Sequence, residues 1–188
     1  MLSVGVDALR EEYHTYSDGE RFALTLPVLS DDAGVLAFWL DDQSVFSSLT
    51  WTRHDCITEV DPHSKYVAAF RHALDQHAEH LEKLDPQGLL PHAFELLALK
   101  QPMSLTNLLR YAQEHRWLIS IISDDFDQAP QGMLTSVDDH ECQLRQLDLE
   151  TFQLEDENTH IPLNHIQVAT LLSQEGLLFA NYLHKLSH

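Results

Sequence analysis

The chain has 188 residues, with 11 Lys plus Arg against 30 Asp plus Glu, a formal charge of −19 with its 13 histidines neutral. It is 44% hydrophobic and 9% aromatic, with 6 Gly and 7 Pro, which argues against a disordered chain and fits one domain, or two small ones, with a real core. The charge works against binding a phosphate backbone, which depends on Lys and Arg displacing counterions, and against anionic membrane surfaces.

In chain order, Met1 to Glu12 fits either a short helix or a strand, with no basic stretch followed by an apolar one. From Arg21, RFALTLPVLSDDAGVLAFWLDDQSVFSSLTW alternates apolar and polar residues between SDDAG and LDDQS, the pattern of strands joined by tight turns. Cys56 to Val60 predicts another short strand. A helix is expected over Tyr66 to Leu84, capped by Ser64, with Phe70, Leu74, Ala78 and Leu81 on one stripe. DPQG ends it. A second helix is expected over Pro91 to Leu99, with Pro91 in its first turn. A third covers Ser104 to His115, capped by Ser104 and burying Leu105, Leu108, Leu109 and Ala112.

At Trp117 strand text resumes. WLISIISDD, QGMLTSV, ECQLRQLDLETFQL and HIPLNHIQVATL predict further strands, with VDDH and EDENT between them. A closing helix, capped by Ser173, presents Leu177, Leu178, Tyr182 and Leu186. No segment reaches the ~20 apolar residues of a spanning helix.

The two strand regions match each other. SDDAGVL (Ser30 to Leu36) faces SDDFDQAPQGML (Ser123 to Leu134), and Asp41-Asp42 faces Asp138-Asp139. Ile57 lines up with Ile166, Ser64 with Ser173, Phe70 with Phe179 and Leu74 with Leu183. The expected fold is α+β: two small antiparallel β-barrel-like units, each followed by a helix, joined by a helical segment. The units span 1–85 and 116–188, with a helical connector over 86–115.

The second unit, through LISIISDD, Gly132-Met133-Leu134, Val137-Asp138-Asp139 and IPLNHIQVA, resembles a Sm-like small barrel; an SH3-like barrel has similar strand text. The first unit shares mainly Gly34. The resemblance implies an RNA-associated protein. Against this, Glu141, Cys142 and Gln143 stand where the family's first motif carries an Asn, and no Gly lies between Gly132 and Gly176 to form its second motif. Uridine binding of the family kind is therefore not expected.

Histidines on the expected helix, His72, His77 and His80, place imidazoles among Asp75, Glu79 and Glu82, without HExxH. The triplets His54-Asp55-Cys56 and His140-Glu141-Cys142 could each offer N and S to zinc, but fall at unequal places in the repeat. The acid pairs Asp31-Asp32, Asp41-Asp42, Asp124-Asp125 and Asp138-Asp139 read as turns, because Asp bonds nearby backbone N–H groups. Trp39, Trp51 and Trp117 lie in strand text and are expected in the core. The arginines Arg110, Arg116 and Arg145 are spread along the chain and predict no basic patch. Neither cysteine sits at a recognisable helix N-terminus, GxSxG is absent, and no glycine loop cradles phosphate. No catalytic, cofactor-binding or metal-ligating residue is expected. The leading expectation is a cytoplasmic, non-enzymatic interaction or regulatory module, binding a protein partner with a basic face or assembling with itself. The alternatives are an RNA-associated Sm-like protein, an acidic DNA-mimic inhibitor and a metal-dependent enzyme.

Overall fold

The computed structural model describes residues 8–17, 19–43, 45–77, 81–99 and 104–186. Five strands come first: β1 (Arg10–Tyr16), β2 (Gly19–Ser30), β3 (Gly34–Leu40), β4 (Phe46–Arg53) and β5 (Ile57–Asp61). Helices α1 (Lys65–His77), α2 (Leu81–Leu84), α3 (Leu89–Leu97) and α4 (Leu105–Glu114) follow. The second set is β6 (Leu118–Ser123), β7 (Gln131–Val137), β8 (Glu141–Asp148), β9 (Gln153–Pro162) and β10 (Ile166–Ser173), then α5 (Gln174–Leu186). Single 3-10 turns, His54–Cys56 and Leu163–His165, lead into β5 and β10.

All ten strands belong to one antiparallel sheet, ordered β5-β1-β2-β3-β4-β10-β6-β7-β8-β9. This corrects the expectation of two barrel-like units. The sheet does not close, and it runs from one half into the other through β4 and β10, with Thr52 opposite Val168 and Trp51 opposite Ala169. The reason lies in the two strands. FSSLTWTR and IQVATLLS contain no carboxylate and are mostly buried on both faces. A strand of that kind needs neighbours on both sides, because an apolar edge left open would leave its backbone groups unpaired.

Each half nevertheless has the same internal order, its fifth strand beside its first, followed by the second, third and fourth. The turns agree as well. Asp31 Oδ1 accepts from the backbone N–H of Ala33 and Gly34, and Asp138 Oδ1 from those of His140 and Glu141. Asp41 likewise accepts from Gln43 and Val45, and Asp148 from Glu150 and Thr151. The expected alignment of the turns was therefore out by one hairpin, Asp31 corresponding to Asp138 and Asp41 to Asp148, while Ile57 and Ile166 do open equivalent strands. Asp124 opens the β6–β7 connection, which joins a first strand to a second and has no counterpart in SDDAG.

The serine caps are present. Ser64 Oγ accepts from Val67 N–H at 3.0 Å, Ser104 Oγ from Asn107 at 3.3 Å and Ser173 Oγ from Gly176 at 2.8 Å. Of the expected α1 stripe, Phe70 and Leu74 are buried, while Ala78 lies outside the described residues. Two segments differ from expectation. EDENT is not a turn but the middle of β9, and HIPLNHIQVATL divides at Leu163–His165 between β9 and β10.

Alternation sends Leu36, Phe38, Leu49, Trp51, Ile121 and Ala169 to one face, where α3, α4 and α5 pack against β4, β10, β6 and β7. Burying each such Leu or Phe stabilises the fold by about 1.5–3 kcal/mol. Trp117 joins this core too. The opposite face of β4 carries Ser48, Thr50 and Thr52, buried and partly satisfied by one another: Ser48 Oγ lies 2.9 Å from Thr50 Oγ1, which lies 3.3 Å from Thr170 Oγ1. No described helix is long and apolar enough to cross a membrane.

Candidate functional site

The densest buried polar chemistry lies along β1. Residues two apart share a face of a strand, so Arg10, Glu12, His14 and Tyr16 form a row. Arg10 Nε donates to Glu12 Oε1 at 2.6 Å, Glu12 Oε2 lies 3.1 Å from His14 Nε2, and His14 Nδ1 meets the Tyr16 hydroxyl. The Trp39 ring stands edge-on to His14, with centroids 5.3 Å apart. Burial pushes the Glu12 carboxyl up, but the His14 hydrogen bond, then the Arg10 charge and bond, outweigh it and hold it below the ordinary value. Both Glu12 and His14 side chains are fully enclosed. Enclosed in this way, the row is an internal polar seam of the sheet.

That seam ends at the joint between the halves. Tyr16 packs with Cys56, Ile122 and Val168. Beside it, Ser17 N–H donates to Gln167 Oε1 and Ser17 Oγ to the Ser123 carbonyl, both at 2.8 Å. Gln167 Nε2 donates to Asp124 Oδ1, and Arg53 reaches the Asn164 and Ile166 carbonyls. The acids of Asp124-Asp125 are thus used in the joint and in a contact between Asp125 and His165 at 2.8 Å.

The structure does not bring the two Cys–His triplets together. Cys142 lies in the main core and Cys56 in the smaller cluster on the other face. His54 Nε2 is spent on the Asp31 carbonyl at 2.9 Å. Desolvation pushes the Cys56 thiol up to about 11, helped by its bond to Asp55, and the Cys142 thiol to about 12, helped by the charge of Glu141. On α1, His72 is exposed; the His77 side chain and all of His80 lie outside the described residues. Among the described residues no group of His, Cys, Asp and Glu is arranged to hold a metal ion.

Among the described residues, the surfaces left open are the two ends of the sheet, where β5 pairs only with β1 and β9 only with β8. On β5, Thr58, Glu59 and Val60 are exposed. On β9, Arg145 opposes Asn158 while Leu147 opposes Leu154, so Glu155, Asp156 and Glu157 face Gln146 as a bulge. Arg145 fastens it: Nε donates to the Glu155 carbonyl at 2.6 Å, Nη2 to the Leu154 carbonyl at 3.4 Å, and Asp156 lies 3.6 Å away. All three bulge acids are exposed. Sequence reasoning missed this site because EDENT has the composition of a turn, and only the strand run on either side of it marks an edge.

Comparison with protein-family models, with curated proteins and with solved structures finds no match.

Proposed function

We propose that the protein is a non-enzymatic interaction module whose open sheet edges take a basic strand from a protein partner. One contrast carries the reading. The strands that pair across the joint, β4 and β10, have no carboxylate, whereas the strands with an open side carry Glu59 and Asp61 on β5 and Glu155, Asp156 and Glu157 on β9. An open edge presents unpaired N–H and C=O groups to an added strand. Pairing β9 of one copy with β5 of another sets acid against acid, which is destabilising. A strand bearing Lys or Arg gains where a second copy loses. The net charge of −19 adds long-range attraction for such a partner, falling off over ~8 Å at physiological salt.

The test uses the full chain and short alternating peptides of Lys with Val, Glu with Val, and Ser with Val. The Lys peptide should bind with an affinity that falls as salt rises, and should slow amide exchange on β5 or β9. Equal binding of all three peptides, or no protection on either edge, rejects the reading. So does a stable homo-oligomer whose contacts protect both edges.

A second reading, of an RNA-associated Sm-like protein, draws on the strand order repeated in the two halves. It requires retention on oligouridine with a steep loss of binding as salt rises.

A further inference from the structure

Composition scatters the eleven basic residues, but the fold gathers some of them. A cleft of about 1040 Å³ opens between α5 and the β8–β9 turn, lined by Arg116, Arg145, His184, Phe152, Leu154 and Leu183 among others. Among the described residues, none of its lining side chains is a carboxylate, in a chain with 30 Asp plus Glu, and Asp156 lies 3.6 Å from Arg145. Two of the eleven, Arg116 after α4 and Arg145 on β8, and the imidazole of His184 on α5 come from different elements.

Two independent features distinguish this cleft. The first is its backbone. Arg116 (φ 54°) and Phe152 (φ 53°) are the described non-glycine residues held in the left-handed region, and both line it. Each belongs to a turn. Arg116 closes α4, its N–H donating to the Gln113 carbonyl at 3.1 Å and Trp117 N–H to the Ala112 carbonyl at 2.9 Å, and Phe152 ends the β8–β9 hairpin turn, so two turns deliver these side chains to the cleft. Phe152 is set by its N–H bond to the Asp148 carbonyl at 2.8 Å, and its ring stands edge-on to Phe179 and Tyr182 at 5.3 and 5.2 Å. The second is donor geometry. The contacts of Arg145 with Glu155, Leu154 and Asp156 use Nε and Nη2. Among the described residues none of these contacts uses its Nη1, and Arg116 is exposed.

We infer that this cleft binds a small amphipathic carboxylate, its head group on Arg116 and Arg145 and its apolar body along Phe152, Leu154 and Leu183. The size is that of small-molecule sites, which are largely apolar with few placed polar groups. Guanidinium forks match a planar carboxylate. A polyanion would feel the repulsion of the whole −19 surface, whereas a single charge seated between two arginines feels mainly those within a screening length, ~8 Å. This inference stands apart from the edge reading, since it uses neither open backbone groups nor a basic partner.

Calorimetric titration of the full chain with octanoate, octanol and inorganic phosphate tests it. Octanoate should bind with one site per chain, more tightly than either comparator. Arg116→Gln should weaken octanoate by about tenfold or more, the loss of one charged hydrogen bond, with an unchanged circular dichroism spectrum. Phe152→Gly, which keeps the left-handed backbone, should weaken it while leaving phosphate unaffected. Octanol binding as well as octanoate, phosphate binding as well as octanoate, no octanoate heat, or wild-type affinity in both variants would each overturn the inference.

Discussion

Asp85 Oδ1 accepts a hydrogen bond from Gln174 Nε2 at 2.9 Å, tying the turn before α3 to the first residue of α5. The same carboxylate accepts from the backbone N–H of Leu89 at 2.6 Å and of Leu90 at 2.8 Å, and Gln174 Nε2 also reaches the Phe46 carbonyl. Asp85 is therefore a buried helix cap that also holds Gln174, whose amide links the two halves at Phe46. Asp85→Ala should destabilise the protein by about 2 kcal/mol, because it orphans buried donors as well as removing the cap. Asp85→Asn, which keeps an acceptor oxygen, should lose less. Urea unfolding of both variants measures the difference; equal losses would mean that the carboxylate charge, and not its geometry, matters.

The caps show which features local sequence reveals. Ser64, Ser104 and Ser173 each bond an N–H three residues on, so the signal and its partner lie within one turn of chain. The Asp turns are equally local, yet the matching of Asp31 with Asp138 depends on strand order across the whole sheet, which no short window contains. β1 is harder still. In REEYHTY the inward positions hold Glu12 and His14, so a search for apolar residues at alternate places finds no strand. The cleft was hidden for a third reason: Arg116 and Arg145 line one cleft only because α4 delivers the chain to β6 beside β7 and β8.

Glu12 makes the protein acid-sensitive. Its native carboxyl is held below the ordinary value of 4.5, despite burial, by His14 and Arg10. The unfolded chain therefore takes up this proton first on acidification. The contribution is complete above about pH 4.5 and is lost as pH falls through the native value. Glu12→Gln should flatten this part of the pH–stability curve, and Glu12→Ala should cost about 3–5 kcal/mol at neutral pH by leaving Arg10 and His14 without their partner. Thermal melts of the three proteins across the acid range check both statements.

Two glycines are required by close approach. A Cβ on Gly132 would lie 2.0 Å from the Arg145 carbonyl oxygen, and one on Gly34 would lie 2.5 Å from the Thr52 carbonyl and the Trp51 ring. At Gly132 the three nearest atoms are all β8 backbone, of Arg145 and Gln146, so relief there requires moving β8. Gly132→Ala should destabilise more than Gly34→Ala, each by about 1–3 kcal/mol or more. Denaturant midpoints decide the order; a harmless Gly132→Ala would contradict the β7–β8 packing.

Cys56 and Cys142 should be inert in the native state. With burial raising their thiols to about 11 and about 12, thiolate is scarce at pH 8. Reaction with a chromogenic disulfide reagent should be slow in buffer and rapid for both in guanidinium chloride. Cys56, carrying the smaller shift, should react first. Fast native labelling of Cys142 would show that β8 opens readily.

The β9 bulge should protect the edge it occupies. A regular open strand invites a second copy of the chain; the bulge interrupts that regular register and the acids repel a like-charged copy, while leaving a basic strand favoured. Here one side chain holds both, since Arg145 binds the Leu154 and Glu155 carbonyls and lies beside Asp156. Arg145→Leu should lose about 1 kcal/mol of stability from the two main-chain bonds, and should increase concentration-dependent association seen by light scattering. Replacing the bulge acids together, E155T with D156T and E157T, should increase association without the loss of stability, because charge is removed while Arg145 still grips the backbone. If the charge is the effective guard, added salt should raise association of the wild type toward that of the triple variant; if the bulge is, salt should leave the two apart. Unchanged association in all three proteins would mean that neither device guards this edge.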